Sequence, residues 1–188
     1  MRIIIGLTGR TGSGKDAVCD YIRQRVLNSE FLRFSQPLSE ALSLFVDRIK
    51  KEDQQWLGST LRDRFGQDIL SKAIEKKISK FDGGLIVLNG IRYESEYDLL
   101  KRIGGKLVYV VADQKTRWER VGKRAEKADD QSGFEKFLEM EKAVTEAAID
   151  GIGKRADFFI DNNGSYMDLY GQINKIFECL KIPTKENS

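Results

Sequence analysis

The run Gly9-Arg10-Thr11-Gly12-Ser13-Gly14-Lys15-Asp16 constrains this chain more than any other stretch. It follows a short apolar segment, Arg2–Thr8, and precedes a pattern from Lys15 to Leu27 in which Val18, Ile22 and Val26 recur at helical spacing. The run matches GxxxxGK, the core of the P-loop, between a strand and a helix, the context in which that spacing carries a mechanism. Its glycines let the backbone turn tightly enough for several N–H groups to point at one anion. The helix that follows adds the positive end of its dipole. Lys15 adds a point charge that reaches the β- and γ-phosphates of a bound nucleotide. A plain Gly-rich turn into an ordinary helix is the competing interpretation, and the three glycines and the lysine at this spacing weigh against it.

The full motif ends in Ser or Thr, whose hydroxyl binds Mg²⁺, but here Asp16 stands at that position. A carboxylate holds Mg²⁺ directly or through water. An acid in the first turn of a helix is also favourable without any metal, so both roles stay open for Asp16.

The remaining chain alternates strand and helix patterns. Phe31–Phe34, Leu85–Leu88, Leu107–Ala112 and Phe158–Ile160 read as short strands. Helices are expected over Leu38–Lys50, Leu57–Ile78 and Ser95–Ile103. A capping box, Ser132-Gly133-Phe134-Glu135, opens a further helix, and Ser165 caps a last one with Leu169, Ile173, Ile176, Phe177 and Leu180 on one face. Such alternation implies βαβ units, a parallel sheet and helices on both of its faces. Ligands in these sheets bind beyond the carboxyl ends of the strands. The loops after strands one, three and four are therefore expected to hold the chemistry.

Composition narrows the function classes. The chain has 188 residues, 40% hydrophobic and 32% charged, with a net charge of +3. That suits one globular domain and gives no general case for nucleic acid as a partner. No apolar run reaches bilayer length, and because Met1-Arg2-Ile3 enters a strand pattern at once, no signal peptide is expected. Histidine is absent and no CxxC pair exists, which excludes a Cys/His zinc site and a catalytic His. Cys19 and Cys179 fit a reducing, cytoplasmic setting, with a disulfide between them as the alternative.

The GTPase companions of a P-loop are missing. The end of the third strand reads Leu88-Asn89-Gly90-Ile91-Arg92 rather than DxxG, and Asn174-Lys175-Ile176-Phe177 is not NKxD. The length also sets most motor and AAA-type ATPases aside. Small nucleotide-type kinases remain.

The opening IIGLTGRTGSGKDAV resembles the P-loop of dephospho-CoA kinases and deoxynucleoside monophosphate kinases. GKD, LRDRFGQDIL and LNGIRYESE are similar to the phage-type monophosphate kinases, in which an Arg follows strand three and a Glu lies four residues on; here these are Arg92 and Glu96. VYVVADQKTRWERVGKR and RADFFIDNNGS resemble dephospho-CoA kinases and archaeal adenylate-kinase-like proteins. The resemblance spans nearly the whole chain. It implies a three-layer α/β/α P-loop fold of the nucleoside monophosphate kinase kind, with a parallel sheet of about five strands and a helical lid.

The resemblance implies ATP and Mg²⁺ as cofactors, Gly9–Asp16 (Gly9, Arg10, Thr11, Gly12, Ser13, Gly14, Lys15 and Asp16) as the phosphate cradle and Asn163 near the adenine. An acid is usual where Asn89 stands; an amide accepts from a metal-bound water but brings no charge, so Asp16 and Asn89 form the expected metal pair. Dephospho-CoA kinases carry an Asp just after strand two to assist a hydroxyl. Here that place reads Phe34-Ser35-Gln36-Pro37. A phosphate acceptor is already ionised and needs no base, so a (deoxy)nucleoside monophosphate fits better than dephospho-CoA.

Phosphoryl transfer needs fixed cations around the equatorial oxygens. Arg92, just after strand three, is expected to grip the acceptor phosphate with help from Arg62, Arg64 and Glu96; an ordinary surface cation paired with Glu94 or Glu96 is its alternative. Arg117, Arg120 and Arg124 recur on one helical face. Arg120 and Arg124 are the expected catalytic lid arginines beside Lys15, against a solvated basic helix paired with Glu119 and Glu126. Asn162-Asn163-Gly164 serves the base or simply turns the chain, and Trp56, Trp118 and Tyr93 are packing aromatics before they are base-stacking ones. The expected organisation is a single kinase domain over 1–188, with an acceptor region at 35–80 and a lid at 114–133. The expected partners are small nucleotides, with no membrane and no nucleic acid, on a monomer or homodimer. The rival readings are a dephospho-CoA kinase, a nucleotide-binding switch with little activity, and a nucleic-acid end kinase.

Overall fold

The computed structural model describes residues 2–123, 133–141 and 144–185. Its strands are β1 (Ile3–Thr8), β2 (Ser29–Arg33), β3 (Leu85–Ile91), β4 (Lys106–Val111) and β5 (Phe158–Asp161). They form one sheet in the order β2-β3-β1-β4-β5, and every pairing is parallel. Because β1 lies between β3 and β4, the loop after it opens at the centre of the sheet's carboxyl edge, flanked on both sides by loops from other strands.

Two apolar layers cover the sheet. Helices α1 (Lys15–Arg25) and α9 (Tyr166–Leu180) lie on one face, where Val18, Ile22, Ile173 and Phe177 meet Ile5, Leu7, Val108 and Val110. On the other face Ile74 and Ile78 of α4 (Ile69–Ile78), Leu99 and Leu100 of α5 (Glu94–Arg102), and Ile152 of α8 (Val144–Gly153) meet Ile4, Ile86 and Leu88. Alternate residues of β1 thus serve opposite layers, the period-two signature of a strand buried on both sides. Truncating a fully enclosed member such as Ile74 to Ala costs roughly 2–5 kcal/mol.

The last helix starts as its sequence indicates: Ser165 Oγ accepts from Asp168 N at 3.2 Å while the Asp168 carboxylate accepts from Ser165 N at 2.9 Å. Two expected helices depart from their patterns. Helix α2 (Gln36–Leu42) stops after Leu42, leaving Leu44 and Phe45 exposed, rather than running to Lys50. The segment expected to be one helix over Leu57–Ile78 is two, α3 (Lys51–Phe65) and α4, broken where Gly66 takes φ 97°. Helix α6 (Gln114–Lys123) carries Arg117 and Arg120 of the three arginines grouped by spacing, and α7 (Phe134–Glu141) follows the capping-box sequence, whose Ser132 lies outside the described residues. Helix α8 had no counterpart in the sequence reading. Cys19 is buried and Cys179 exposed, and both are free thiols. Among the described residues no helix is long and apolar enough to cross a membrane.

Candidate active site

The loop between β1 and α1 closes around its own lysine. Lys15 Nζ donates to Gly9 O at 2.6 Å and Arg10 O at 3.1 Å, and lies 3.5 Å from Ser13 Oγ. The ammonium is therefore held inside the loop, at the N-terminus of α1, where the helix dipole is positive. Gly14 caps that helix with φ 96°, and a Cβ there would lie 2.0 Å from Asn162 Nδ2. Asn162, in the loop after β5, approaches because its Nδ2 donates to Ser13 O at 2.8 Å. Only glycine satisfies both the dihedral and the close contact.

Arg120 of α6 donates through Nη2 to Asn162 O at 2.8 Å, while its Nη1 is buried with no hydrogen-bond partner and lies 3.8 Å from where a Gly14 Cβ would be. A buried guanidinium N–H without a partner is costly unless an anion completes it. Arg124 lies outside the described residues, as does most of the expected lid beyond Lys123.

Arg117 does something different from the lid role expected of its group. It is buried, donates to Ala112 O at 3.0 Å and Thr11 O at 3.4 Å, and forms an ion pair with Glu141 of α7. Burial alone would push the Glu141 carboxyl up; the bonds from Arg117 and Gln114 override it and hold the group below the usual range. Arg10, inside the loop, is clamped by Asp150 of α8 in a two-bond fork at 3.1 and 2.6 Å. Tyr109 on β4 donates to the same carboxylate at 2.8 Å, and the bond from Arg10 holds Asp150 below its ordinary range. Burial, reinforced by Asp150, pushes the Tyr109 phenol up to about 12.

The other side of the crevice is built by β2 and β3. A register shift opposite Leu7 and Thr8 puts an extra residue, Gly90 (φ 89°), into β3, and Thr8 Oγ1 donates to Ile91 O at 2.8 Å. The bulge re-aims the residues around it. Asn89 donates through Nδ2 to Asp16 Oδ1 at 3.0 Å, so the two expected metal residues do meet. Arg33, the last residue of β2, donates to that same oxygen at 2.6 Å. An anionic carboxylate beside an amide is an oxygen-donor set that suits Mg²⁺, provided the amide turns its oxygen inward; the pair fits the ion.

Arg92 follows β3 directly. Its backbone N–H donates to Glu96 Oε2 at 2.8 Å, as does that of Tyr93 at 3.2 Å. Glu96, expected among acceptor-binding residues, is buried and spends its carboxylate on capping α5 and fixing the Arg92 backbone. Burial pushes its pKa up to about 7, against the opposing effect of those two N–H bonds and of Arg62 and Arg92. Arg62 stacks over the Tyr93 ring at 4.1 Å, beside this turn, whereas Arg64 is exposed on the last turn of α3. Glu94 pairs with Arg155. Asn163 Oδ1 accepts from Asp113 N at 2.7 Å, tying the β5 loop to the β4 end. Trp118 packs edge-on against Phe134, and Trp56 is exposed.

A family model described as an AAA domain matches residues 5–145. The chain belongs to that family. Residues 5–145 satisfy that model although the chain is shorter than most AAA-type ATPases. A UPF0200 protein of Methanothermobacter thermautotrophicus is 22% identical over 188 residues, spanning 99% of this chain and 95% of the relative. Among solved structures, the shikimate kinase of Bacteroides thetaiotaomicron superposes with a TM-score of 0.59 at 15% identity over 95% of this chain and 98% of that one. The dephospho-CoA kinase of Campylobacter jejuni does so with 0.54 at 17% identity, over 96% and 98%. These likenesses establish a P-loop kinase-like fold with its five-stranded parallel sheet.

Sequence reasoning missed Arg33, Asp150, Glu141 and Tyr109. Arg33 was findable, since it ends a strand and the carboxyl edge is where ligands bind. The others reach the loop from residues far along the chain and carry no local signal.

Proposed function

We propose that this protein transfers the γ-phosphoryl group of ATP to a small acceptor that already bears a phosphate, a (deoxy)nucleoside monophosphate. The observation that carries the reading is the convergence of Lys15 and the unpartnered Nη1 of Arg120 on the N-terminus of α1. Both are fixed cations where a polyphosphate is cradled by backbone N–H groups. Lys15 exchanges its bonds to Gly9 O and Arg10 O for phosphate oxygens, and Arg120 completes its own bonding on the transferring group. Asp16 and Asn89 would hold Mg²⁺, which supplies charge neutralisation at the phosphate oxygens.

In the transfer, an oxygen of the acceptor phosphate attacks Pγ, a new P–O bond forms, and the bond from Pγ to the β–γ bridging oxygen breaks to release ADP. No proton need leave the attacking oxygen, so no general base is required. The end of β2 supports that choice: Arg33 stands there, followed by Phe34, Ser35 and Gln36, none of which carries a carboxylate to activate a hydroxyl, and the nearby Asp16 carboxylate is engaged by Arg33. Arg92, its backbone set by Glu96, binds the acceptor phosphate, with Arg62 nearby. Helix α6 and the segment after it act as the lid, and residues 35–80 as the acceptor region.

The test is ADP release with MgATP and a panel of ribo- and deoxyribonucleoside monophosphates, dephospho-CoA and shikimate. A monophosphate that stimulates release and is itself phosphorylated supports the reading; stimulation by dephospho-CoA or shikimate alone replaces it. A second reading, a nucleotide-binding switch with little turnover, draws on Asp16 being engaged by Arg33. Tight ATP binding with no stimulation by any acceptor would favour it.

A further inference from the structure

We propose that Arg33 is a built-in competitor for the divalent cation at Asp16, and that displacement by the cation delivers its guanidinium to the acceptor phosphate beside Arg92. The inference rests on the phosphotransferase reading above and adds to it a residue that reports metal occupancy to the acceptor side.

Asp16 Oδ1 accepts from both Arg33 Nη2 at 2.6 Å and Asn89 Nδ2 at 3.0 Å. A carboxylate oxygen has two lone-pair directions, so these donors fill it. A cation that binds this oxygen must remove one donor or turn it round. Asn89 is 7% exposed and can rotate its amide to offer oxygen; a guanidinium has no acceptor atom and must leave. Arg33 leaves at little cost. Its side chain is 59% exposed and that of Asp16 45%, and exposed ion pairs are weak and salt-screened.

The backbone sets where Arg33 goes. Its Cα is in register with Asn89, and β3 ends two residues later at Ile91 with Arg92 next. A freed Arg33 side chain therefore remains on the rim that carries Arg92. Two planar forks suit a phosphate monoester dianion, which offers three oxygens and two charges. They do not suit a neutral hydroxyl acceptor. The arrangement makes acceptor grip depend on metal binding, so that acceptor bound without metal lacks one of its two cations.

The experiment uses the full chain with ADP and Mn²⁺, the latter counted through the electron paramagnetic resonance signal of the free ion. Four proteins are compared: wild type, Arg33→Gln, Arg33→Lys and Asp16→Asn. Removing the competitor should tighten Mn²⁺ binding to the ADP complex about two- to five-fold in Arg33→Gln, the scale of an exposed pair. Arg33→Lys should lie between that variant and wild type, and Asp16→Asn should weaken binding. With the monophosphate that the panel identifies, Arg33→Gln should raise the acceptor KM by roughly ten-fold, the loss of one charge-assisted contact, while the KM for ATP moves less. Unchanged or weaker Mn²⁺ binding in Arg33→Gln overturns the competitor role, and an unchanged acceptor KM overturns the delivery. If wild type binds ADP but shows no Mn²⁺ dependence, this inference falls while the transferase reading stands. If wild type binds no nucleotide, the transferase reading falls and takes this one with it.

Discussion

The two halves of the crevice are held together by different physics. On the side of β4 and β5, charged side chains reach the loop from α6, α7 and α8, and a neutral amide reaches it from the β5 turn: Arg10 with Asp150, Arg117 with Glu141, Asn162 with Ser13. On the side of β2, the arm made by α2 and α3 lies over α4 with an open cleft of about 600 Å³ between them, lined by Leu38, Leu61 and Leu70 among others. Gly58 is the only buried residue of α3, and Leu44, Phe45, Trp56 and Phe65 are exposed. Gln54 to Ser39 ties α3 to α2 within the arm, and Lys77 to Glu40 ties α2 to α4. A loop braced by one buried and one half-buried ion pair is built to be preorganised, and an arm with little buried area belongs to the low-stability end of the molecule. The contrast assigns fixed electrostatics to the P-loop side and movement to the β2 side.

The contrast breaks most visibly at Lys15. If the preorganised half supplies most of the catalysis, Lys15→Ala should lower kcat about 10³-fold or more while leaving unfolding by urea nearly unchanged. Steady-state turnover with the identified acceptor checks it; retained turnover would show that the loop is not the seat of the chemistry.

The next largest effect concerns the bracing itself. Removing one partner of a buried ion pair strands the other, which costs about 3–5 kcal/mol. Glu141→Ala should fall toward the lower end, about 3 kcal/mol, because Arg117 keeps its bonds to backbone oxygens. The double variant Arg117→Met/Glu141→Leu should recover most of that loss, since replacing such a pair by apolar groups is often neutral. Urea titration of the three proteins gives the answer. Equal losses in the single and double variants would mean that the helices, rather than the charges, hold the loop.

Glu96 sits at the boundary between the halves and gives the contrast a pH dependence. Its folded pKa, about 7, is raised above the ordinary value of 4.5 by burial. The native state therefore holds a proton that the unfolded chain releases between about pH 4.5 and 7. In that window stability falls as pH rises, and above about 7 the contribution stays constant, with a total on the order of 3 kcal/mol. Both N–H bonds go to Oε2, so a neutral side chain can keep them. Glu96→Gln should thus remove this part of the pH slope without loosening the turn. Unfolding at pH 5 and pH 8 separates the outcomes: the same slope in both proteins would assign it to other groups.

How much of this was readable beforehand follows the range of the interactions. The P-loop, the strands and the Ser165 cap are local patterns, and the spacing of a few residues determines them. The meeting of Asp16 with Asn89 was reachable because Asp16 opens the helix after β1 and Asn89 lies near the end of β3, both at the carboxyl edge of one parallel sheet. The contact of Arg33 with Asp16 has no such signal: its place at the carboxyl edge is legible, but no spacing or cap ties the end of β2 to the first turn of α1. The clamp on Arg10 joins residues 140 apart in the chain, and no period or cap encodes such a pair. Arg117 shows the same limit in reverse: the helical spacing that groups it with Arg120 is real, but burial gives it a different partner. The helix expected over Leu57–Ile78 failed at Gly66, where apolar periodicity outweighed a glycine that in fact ends the helix.

The smallest expected effect is the sharpest test of the loose half. Phe45 is 83% exposed just beyond α2, in a stretch expected to be helix. Replacing it with Ser removes little buried area, so unfolding should shift by no more than about 0.5 kcal/mol in either direction. If the arm closes on the acceptor, however, exposed apolar side chains there gain cover only in the closed state, and their loss should raise the acceptor KM while kcat and the KM for ATP hold. Stability and acceptor KM both unchanged would make Phe45 an idle surface residue and confine closure to other parts of the arm. A large loss of stability would contradict the exposure itself, and with it the view that this half of the molecule is held by little buried area.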